Sequence, residues 1–433
     1  MNVDVLIAGG GPAGLAAAIE LRRRGIRRVL VADREQQAGG VPRHCAHTGY
    51  GLRDLHRLLT GPAYARHYAR AAAQAGAQIR ASTTVTGWAG PRSAYLTSPA
   101  GIETVHARAV LLATGCRERP RAARLVPGGR PPGVLTTGEL QQRVYLAGQR
   151  LPGRALIIGA EHVSFSALVT LAHAGADVAG LVTEQPRQQS YAAFRAGAAL
   201  RWRVPVWTHT AISRVDGRDR LAGAELRDLR TGETRFVACQ TLVFTGDWIP
   251  DHELARSAAG LDTDPGSRGP VVDTAMATSV PGVFAAGNLV HPAETADVAA
   301  LSGRHAAGQI AAWLALGLDA GLGAGAGAAP DGPEFPGGPA PAGRGRAIPV
   351  TVAAPLSWIS PGLLRDPGTP PPRGRFVLRS AEYRPRARLE VSQDGRVLAR
   401  HRARLMPGRS LTLPAGWMSR VSLAGGPVRV LPL

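Results

Sequence analysis

Short runs of β-branched and apolar residues alternate along the chain with glycine turns and alanine-rich stretches, the pattern of strands joined by helices. Val3–Ala8 reads as a strand, Gly9–Gly14 as a glycine-rich turn, Leu15–Arg24 as an Ala/Leu helix stopped by Gly25, and Val29–Ala32 as a strand ending at Asp33. The pattern recurs as strand Ala155–Gly159, helix Val163–His173, Gly175 and strand Val178–Thr183, ending at Glu184. Two more apolar runs, Ala109–Gly115 and Leu242–Gly246, end in Thr-Gly. After Ala312 the periodicity dissolves into Leu314–Gly345, rich in Gly, Ala and Pro, which reads as a linker. Beyond it, Phe376–Ser380, Arg388–Val391, Val397–Arg402, Ser410–Leu413 and Val428–Leu431 are short and strand-like, with turns such as Gln393-Asp394-Gly395 between them. Residues 346–433 therefore predict a small β domain.

The first turn, Gly9-Gly10-Gly11-Pro12-Ala13-Gly14, matches G-x-G-x-x-G between a strand and a helix. Gly9 permits the tight turn, Gly11 lets the backbone approach a pyrophosphate, and Gly14 lets the helix pack on the strand. The helix start at Pro12 and Ala13 offers free N–H groups and a positive dipole end to the phosphates. Asp33 lies where an acid takes a ribose hydroxyl pair, and Arg34 and Gly40 join the expected cofactor contacts. The second turn is degraded to Gly159-Ala160-Glu161-His162-Val163-Ser164, with a carboxylate at the approach position. NAD(P) binding there is expected to be weak or lost, the unit persisting as scaffold.

The length of 433 residues suggests about three folding units. The formal charge of +20 invites a nucleic-acid reading, but the chain has no lysine: all 51 basic residues are Arg, among abundant Gly and Pro, as a GC-rich coding bias would produce. No nucleic-acid partner is inferred. Cys45, Cys116 and Cys239 are far apart and form no C-x-x-C pair, so neither a disulfide framework nor a metal site is expected, which fits a reducing cytoplasm. The apolar stretch Val5–Ile19 follows Asp4 and is broken by glycines and a proline, and no run of 18 uninterrupted apolar residues predicts a membrane span.

With Ala109–Gly115 and Thr278–Asn288 (T-S-V-P-G-V-F-A-A-G-N), the chain resembles the two-dinucleotide-domain flavoproteins of the pyridine nucleotide-disulfide oxidoreductase superfamily. That resemblance implies FAD, held also by Thr114, Gly115, Gly287 and Asn288, where Asn stands in place of the family's ribityl-binding Asp. Without a cysteine pair, disulfide reduction is not expected. Gly40-Val41-Pro42-Arg43-His44-Cys45, Ala113–Pro120 (A-T-G-C-R-E-R-P) and Pro132–Gln141 (P-G-V-L-T-T-G-E-L-Q) resemble a narrower branch. It comprises the flavoprotein subunits of hydrogen cyanide synthase and the opine oxidases, and flavoproteins associated with glycerol-3-phosphate dehydrogenases. The likeness covers about residues 1–312 and implies oxidation of amines, amino acids or related small substrates, often within a hetero-oligomer containing an electron-accepting partner subunit.

His44 and His47 crowd a glycine-rich loop expected beside the flavin, where either could manage a proton or merely fix the loop. His291–Asp297 is expected to open a helix whose dipole stabilises negative charge on reduced flavin, and whether Glu294 touches substrate stays open. The expected fold is α/β: two Rossmann-like dinucleotide-binding domains of the three-layer ββα type, the second inserted in the first, plus a small C-terminal β domain. The FAD domain spans 1–122 and 245–313, the NAD(P)-binding-like domain 123–244, and the linker 314–345. The expected function is an FAD-dependent oxidoreductase for a small amine, amino acid or hydroxy substrate. The alternatives are an NAD(P)H-dependent flavin reductase and a non-catalytic FAD-holding assembly protein.

Overall fold

A computed structural model describes residues 1–190, 201–292, 294–319 and 346–433. Strand Asn2–Ala8, buried on both faces as its unbroken apolar run requires, lies inside a seven-stranded sheet. It pairs in parallel with Val29–Ala32, Val5 opposite Val29, and with Gly101–Leu112, Val5 opposite Ala109. Gln78–Arg80 extends the sheet past Val29–Ala32, and Ser93–Ser98 and Thr84–Gly90 add antiparallel strands beside Gly101–Leu112. The chain returns to this sheet late, where Val283–Ala285 pairs with Val110–Leu112.

A second, five-stranded parallel sheet runs Val134–Thr136, Thr241–Phe244, Gly153–Ile158, Ala176–Val182, Val206–Trp207. Alternate residues of its strands serve two cores. Ala155, Ile157 and Val243 pack with Phe165, Leu168 and Leu171 of helix His162–Ala174, while Leu156, Leu242 and Phe244 pack with Val215, Leu226 and Val237 of a three-stranded antiparallel sheet. Helix, parallel sheet and antiparallel sheet are thus three layers, as the sequence suggested.

Helix Ala296–Ala315 lies along helix Pro12–Arg23. Gly303 permits this, because a Cβ there would fall on the Ala13 carbonyl oxygen. The helix overruns the expected linker start at 314, since Trp313 and Leu314 are buried and the Trp313 ring packs edge-on against Phe284 at 6.1 Å. Residues 320–345 of the expected linker lie outside the described residues.

Residues 346–433 form a five-stranded and a three-stranded sheet around one core. All five expected strands are present, among them Arg375–Ser380, Arg384–Gln393 and Arg396–Leu405. Ile348–Val352, Leu356–Ser360 and Leu363–Leu364 are additional; Pro349, Pro355 and Pro361 in and beside them hid a strand signal. Trp417, 2% exposed, stacks on buried Phe376 at 5.0 Å. Trp417→Ala is expected to destabilise this region by about 3–5 kcal/mol. Denaturant unfolding checks it, and a loss below about 1 kcal/mol would show that the stack does not organise the core.

Candidate functional site

Each glycine of the first turn meets a different surrounding. A Cβ on Gly9 (φ +109°) would run into the Ala113 carbonyl, and one on Gly14 into the Gly9 carbonyl, so both are fixed by packing. At Gly11, the N-cap of helix Pro12–Arg23, only the Gly40 Cα comes within 4.0 Å. Gly40 (φ +63°) needs to be glycine for its own approach, since its Cβ would stand 2.9 Å from Gly11 Cα. The Gly11 backbone therefore opens onto free space at a helix start with no side-chain cap, the arrangement a pyrophosphate requires.

Asp33 is buried, and burial pushes its carboxyl above the ordinary range. It accepts the Gly10 N–H at 2.9 Å and the Glu35 N–H at 2.8 Å, so it braces the turn while keeping lone pairs to spare. Thr114 donates to the Asp251 carbonyl at 2.7 Å, and the Gly115 carbonyl accepts the Asp251 N–H at 2.9 Å. The Asp251 carboxylate lies 3.5 Å from the Arg34 guanidinium and also pairs with Arg117, gathering the expected residues 34, 114 and 115 at one edge. Gly287 (φ +72°) brings the distant Thr278–Asn288 segment onto the helix start, where its Cβ would stand 2.7 Å from that of Ala13. The Asn288 side chain donates to the Glu294 carbonyl at 3.1 Å and accepts the Glu294 N–H at 3.0 Å, closing the loop before the helix. That helix begins at Ala296 rather than at His291, because the Asn288 side chain first ties the chain back to Glu294.

The loop after Gly40 turns through Val41–His44. His44 points inward, 6% exposed, and hydrogen-bonds Gln141; its Nδ1 is buried with no hydrogen-bond partner. Burial holds its imidazole below the usual 6.5. Cys45 donates to Gln141 Oε1 at 3.1 Å, and burial pushes its thiol up to about 11, so it is no thiolate nucleophile. His47 turns the other way, its Nδ1 2.8 Å from the Thr48 carbonyl and its ring 5.4 Å from Tyr50. Arg53 then donates to Asp297 through its backbone N–H and its guanidinium, both at 3.2 Å, fastening the loop to the first turn of helix Ala296–Ala315.

Arg53 and Asp251 carry no signal in the sequence, and Gln141 and Asp297 end the stretches Pro132–Gln141 and His291–Asp297 without a role read for them, because no local pattern marks a side chain whose partner is 96 to 244 positions away. Glu118 escaped it too, although it stands inside the quoted A-T-G-C-R-E-R-P stretch. It is buried, accepts the N–H groups of Gly138 at 3.0 Å and Gly246 at 3.1 Å, and burial raises its carboxyl to about 7.

The second glycine turn is filled from within. Glu161 is the N-cap of helix His162–Ala174, the position that Gly11 occupies in the first unit. Its carboxylate accepts the Ala160 N–H at 2.9 Å and the Thr245 hydroxyl at 2.6 Å, and forms a capping box with Ser164. The helix end that would hold a nucleotide's phosphates already holds an anion.

The C-terminal strands pack on His291 and Pro292. His291 stacks on Trp358 at 5.6 Å, and Arg379 donates to the Pro292 carbonyl at 3.2 Å and to Ser410 Oγ at 3.0 Å. Burial lowers His291 and His162 to about 4. Both take up a proton more readily when unfolded, so their contribution is present above pH 6.5 and is lost as pH falls toward 4. Stability should fall by about 1.4 kcal/mol per pH unit for each histidine in that window. Thermal melts at pH 7 and pH 5 test this, and equal midpoints would refute the buried neutral state. Among the described residues no group of three or more His, Cys, Asp or Glu could hold a metal ion, and no helix is long and apolar enough to cross a membrane.

Residues 3–303 match the family described as pyridine nucleotide-disulphide oxidoreductase. The HcnB protein of hydrogen cyanide synthase from Pseudomonas aeruginosa is 33% identical over 42% of this chain and 38% of its own length. An opine oxidase subunit of Agrobacterium tumefaciens is 31% identical over 36% of this chain and 32% of its own. The chain thus spans about a third of the length of these relatives. Thioredoxin reductase of Treponema pallidum is 27% identical over 66% of this chain and 89% of its own. Among solved structures, the thioredoxin reductase of T. acidophilum matches 72% of this chain and 98% of its own with a TM-score of 0.60 at 23% identity, a likeness of fold.

Proposed function

The chain belongs to the pyridine nucleotide-disulphide oxidoreductase family of FAD-dependent enzymes, and we propose that it oxidises a small amine, amino acid or hydroxy substrate and passes the electrons to an external acceptor. One observation carries this reading: of two corresponding helix starts, the one at Gly11 is open and the one at Glu161 is occupied by the chain's own carboxylate. Among the described residues the one open helix start fits FAD, and the filled one leaves no built place for a nicotinamide donor. Cys45, Cys116 and Cys239 form no C-x-x-C pair, and burial pushes the Cys45 and Cys239 thiols up to about 11, which argues against a dithiol relay. Reducing equivalents then come from a small substrate.

In this reading Gly9, Gly11, Pro12, Ala13 and Gly14 receive the pyrophosphate. Asp33 and Arg34 border the adenosine side with Thr114 and Gly115, Gly40 closes over the turn, and Gly287 and Asn288 receive the ribityl side. Bound FAD supplies the acceptor for a hydride. The start of helix Ala296–Ala315, pinned by Arg53 and Asp297, offers N–H groups to developing negative charge. His44 is positioned to take a proton. The FAD-binding part comprises 1–122 and 245–313, the NAD(P)-binding-like part 123–244 and the β part 346–433. Because HcnB and the opine oxidase relative are named as subunits, we assign this chain too to a hetero-oligomer with an electron-accepting partner.

Purified protein should hold one FAD per chain. Anaerobic mixing with NADH or NADPH should leave the flavin oxidised, whereas a member of an amine, amino-acid and hydroxy-acid panel should bleach it. Bleaching within seconds at micromolar nucleotide would replace this reading by a flavin reductase. Stoichiometric FAD that no donor reduces would favour a non-catalytic assembly role.

A further inference from the structure

A cavity lies where the Gly287 turn and the start of helix Ala296–Ala315 meet the C-terminal strands. Met276, His291 and Glu294 form one wall, and Arg373, Arg375 and Thr412 the other. Two polar atoms of the first wall, His291 Nδ1 and Glu294 Oε1, are buried without a hydrogen-bond partner. Such atoms are uncommon in folded proteins, because each forfeits its hydration, and two on one cavity wall mark a place for a polar guest.

The facing wall is cationic. Arg379 is committed to the Pro292 and Pro407 carbonyls and Ser410, but Arg373 and Arg375 are exposed and their side chains make no hydrogen bond to the described residues. Arg373 acts electrostatically on Glu294 across the gap. Met276 and Arg373, on opposite walls, hold positive φ values of 61° and 60°, a backbone state costly for residues with a side chain.

We propose that this cavity is a binding subsite for a small carboxylate bearing an adjacent amino or hydroxyl group, Arg373 holding the carboxylate and Glu294 Oε1 accepting the donor hydrogen. The inference rests on the proposed oxidase function and places part of the substrate site on the C-terminal strands, beyond residues 3–303 that match the family. A guanidinium meets a carboxylate through paired charge-assisted hydrogen bonds, which suits Arg373 to that end of the ligand. Glu294 Oε1, a buried acceptor oxygen with no hydrogen-bond partner, suits the donor end.

The test titrates the holoenzyme with glycine, glycolate, acetate and propylamine, reading flavin absorbance and tryptophan fluorescence, Trp358 being stacked on the lining residue His291. Glycine or glycolate should bind more tightly than acetate, which lacks the donor, and than propylamine, which lacks the carboxylate. Arg373→Ala should weaken binding about 10- to 100-fold with FAD content and melting temperature unchanged, since the side chain is exposed. Glu294→Leu, which removes the acceptor oxygen, should remove the preference over acetate. Equal affinity in Arg373→Ala, or carboxylates binding no tighter than propylamine, overturns the proposal. If FAD loads and a donor bleaches it while Arg373→Ala binds normally, only the subsite fails. If FAD never loads, the proposed function fails, and tryptophan fluorescence still reads the cavity.

Discussion

Gly11→Glu should purify as a folded, colourless protein. The expectation turns on what surrounds each glycine of the first turn. At Gly9 or Gly14 any side chain collides with backbone and would disturb the fold, so loss of flavin there could not be separated from loss of structure. At Gly11 the nearest atom to a new Cβ is 4.0 Å away, and the side chain can extend into the space before the helix. A glutamate there reproduces what the second unit already contains, an N-cap carboxylate taking the N–H groups that phosphate would use. It excludes the pyrophosphate by volume and by charge at once. Flavin absorbance per chain should fall to background while the unfolding free energy stays within about 1 kcal/mol of the flavin-stripped parent, the size of a typical cap effect. Stoichiometric flavin in the variant would place the pyrophosphate elsewhere.

The sequence was most readable where one local rule decides the structure. Val29–Ala32 is a strand over those four residues, and helix His162–Ala174 departs from its expected bounds by one residue at each end. Apolar runs and glycine stops leave little choice there. Glu161 was legible as an obstacle from its position alone, although its bond to Thr245 was not. What the sequence hid was every contact made by a side chain to a far part of the chain. Asp33 reads as a ligand for ribose, yet first of all it ties down Gly10 and Glu35. His44 and His47 look alike in a loop of polar and aromatic residues, and only the fold sends one inward to Gln141 and the other toward Thr48. The approach of the C-terminal strands to Glu294 had no sequence signal, because Arg-rich short strands read as an ordinary solvated β surface.

His44→Ala should slow substrate-driven reduction of the flavin by about 10²–10⁴-fold, the usual size of general base catalysis, and His47→Ala should matter far less. The structure separates the two residues. His44 is buried, has an unpartnered Nδ1 and is held by Gln141, so it is a fixed proton acceptor, while His47 is partly exposed and bonded to its neighbour's carbonyl. Only a neutral amine readily gives up hydride from its adjacent carbon, so a base must take the substrate's ammonium proton first. Burial keeps His44 neutral below the usual 6.5, and its arm of the rate profile should therefore lie on the acid side of that value. Below that arm His44 is protonated and the rate falls; in His44→Ala the arm should disappear. His44→Gln, which retains a side chain able to meet Gln141, keeps the experiment interpretable if alanine loosens the buried loop. It should bind FAD and melt like the parent while remaining as slow as His44→Ala. A His44→Gln protein that reduces at the parent rate with the same pH profile would make His44 a loop support, and proton removal would then belong to another group.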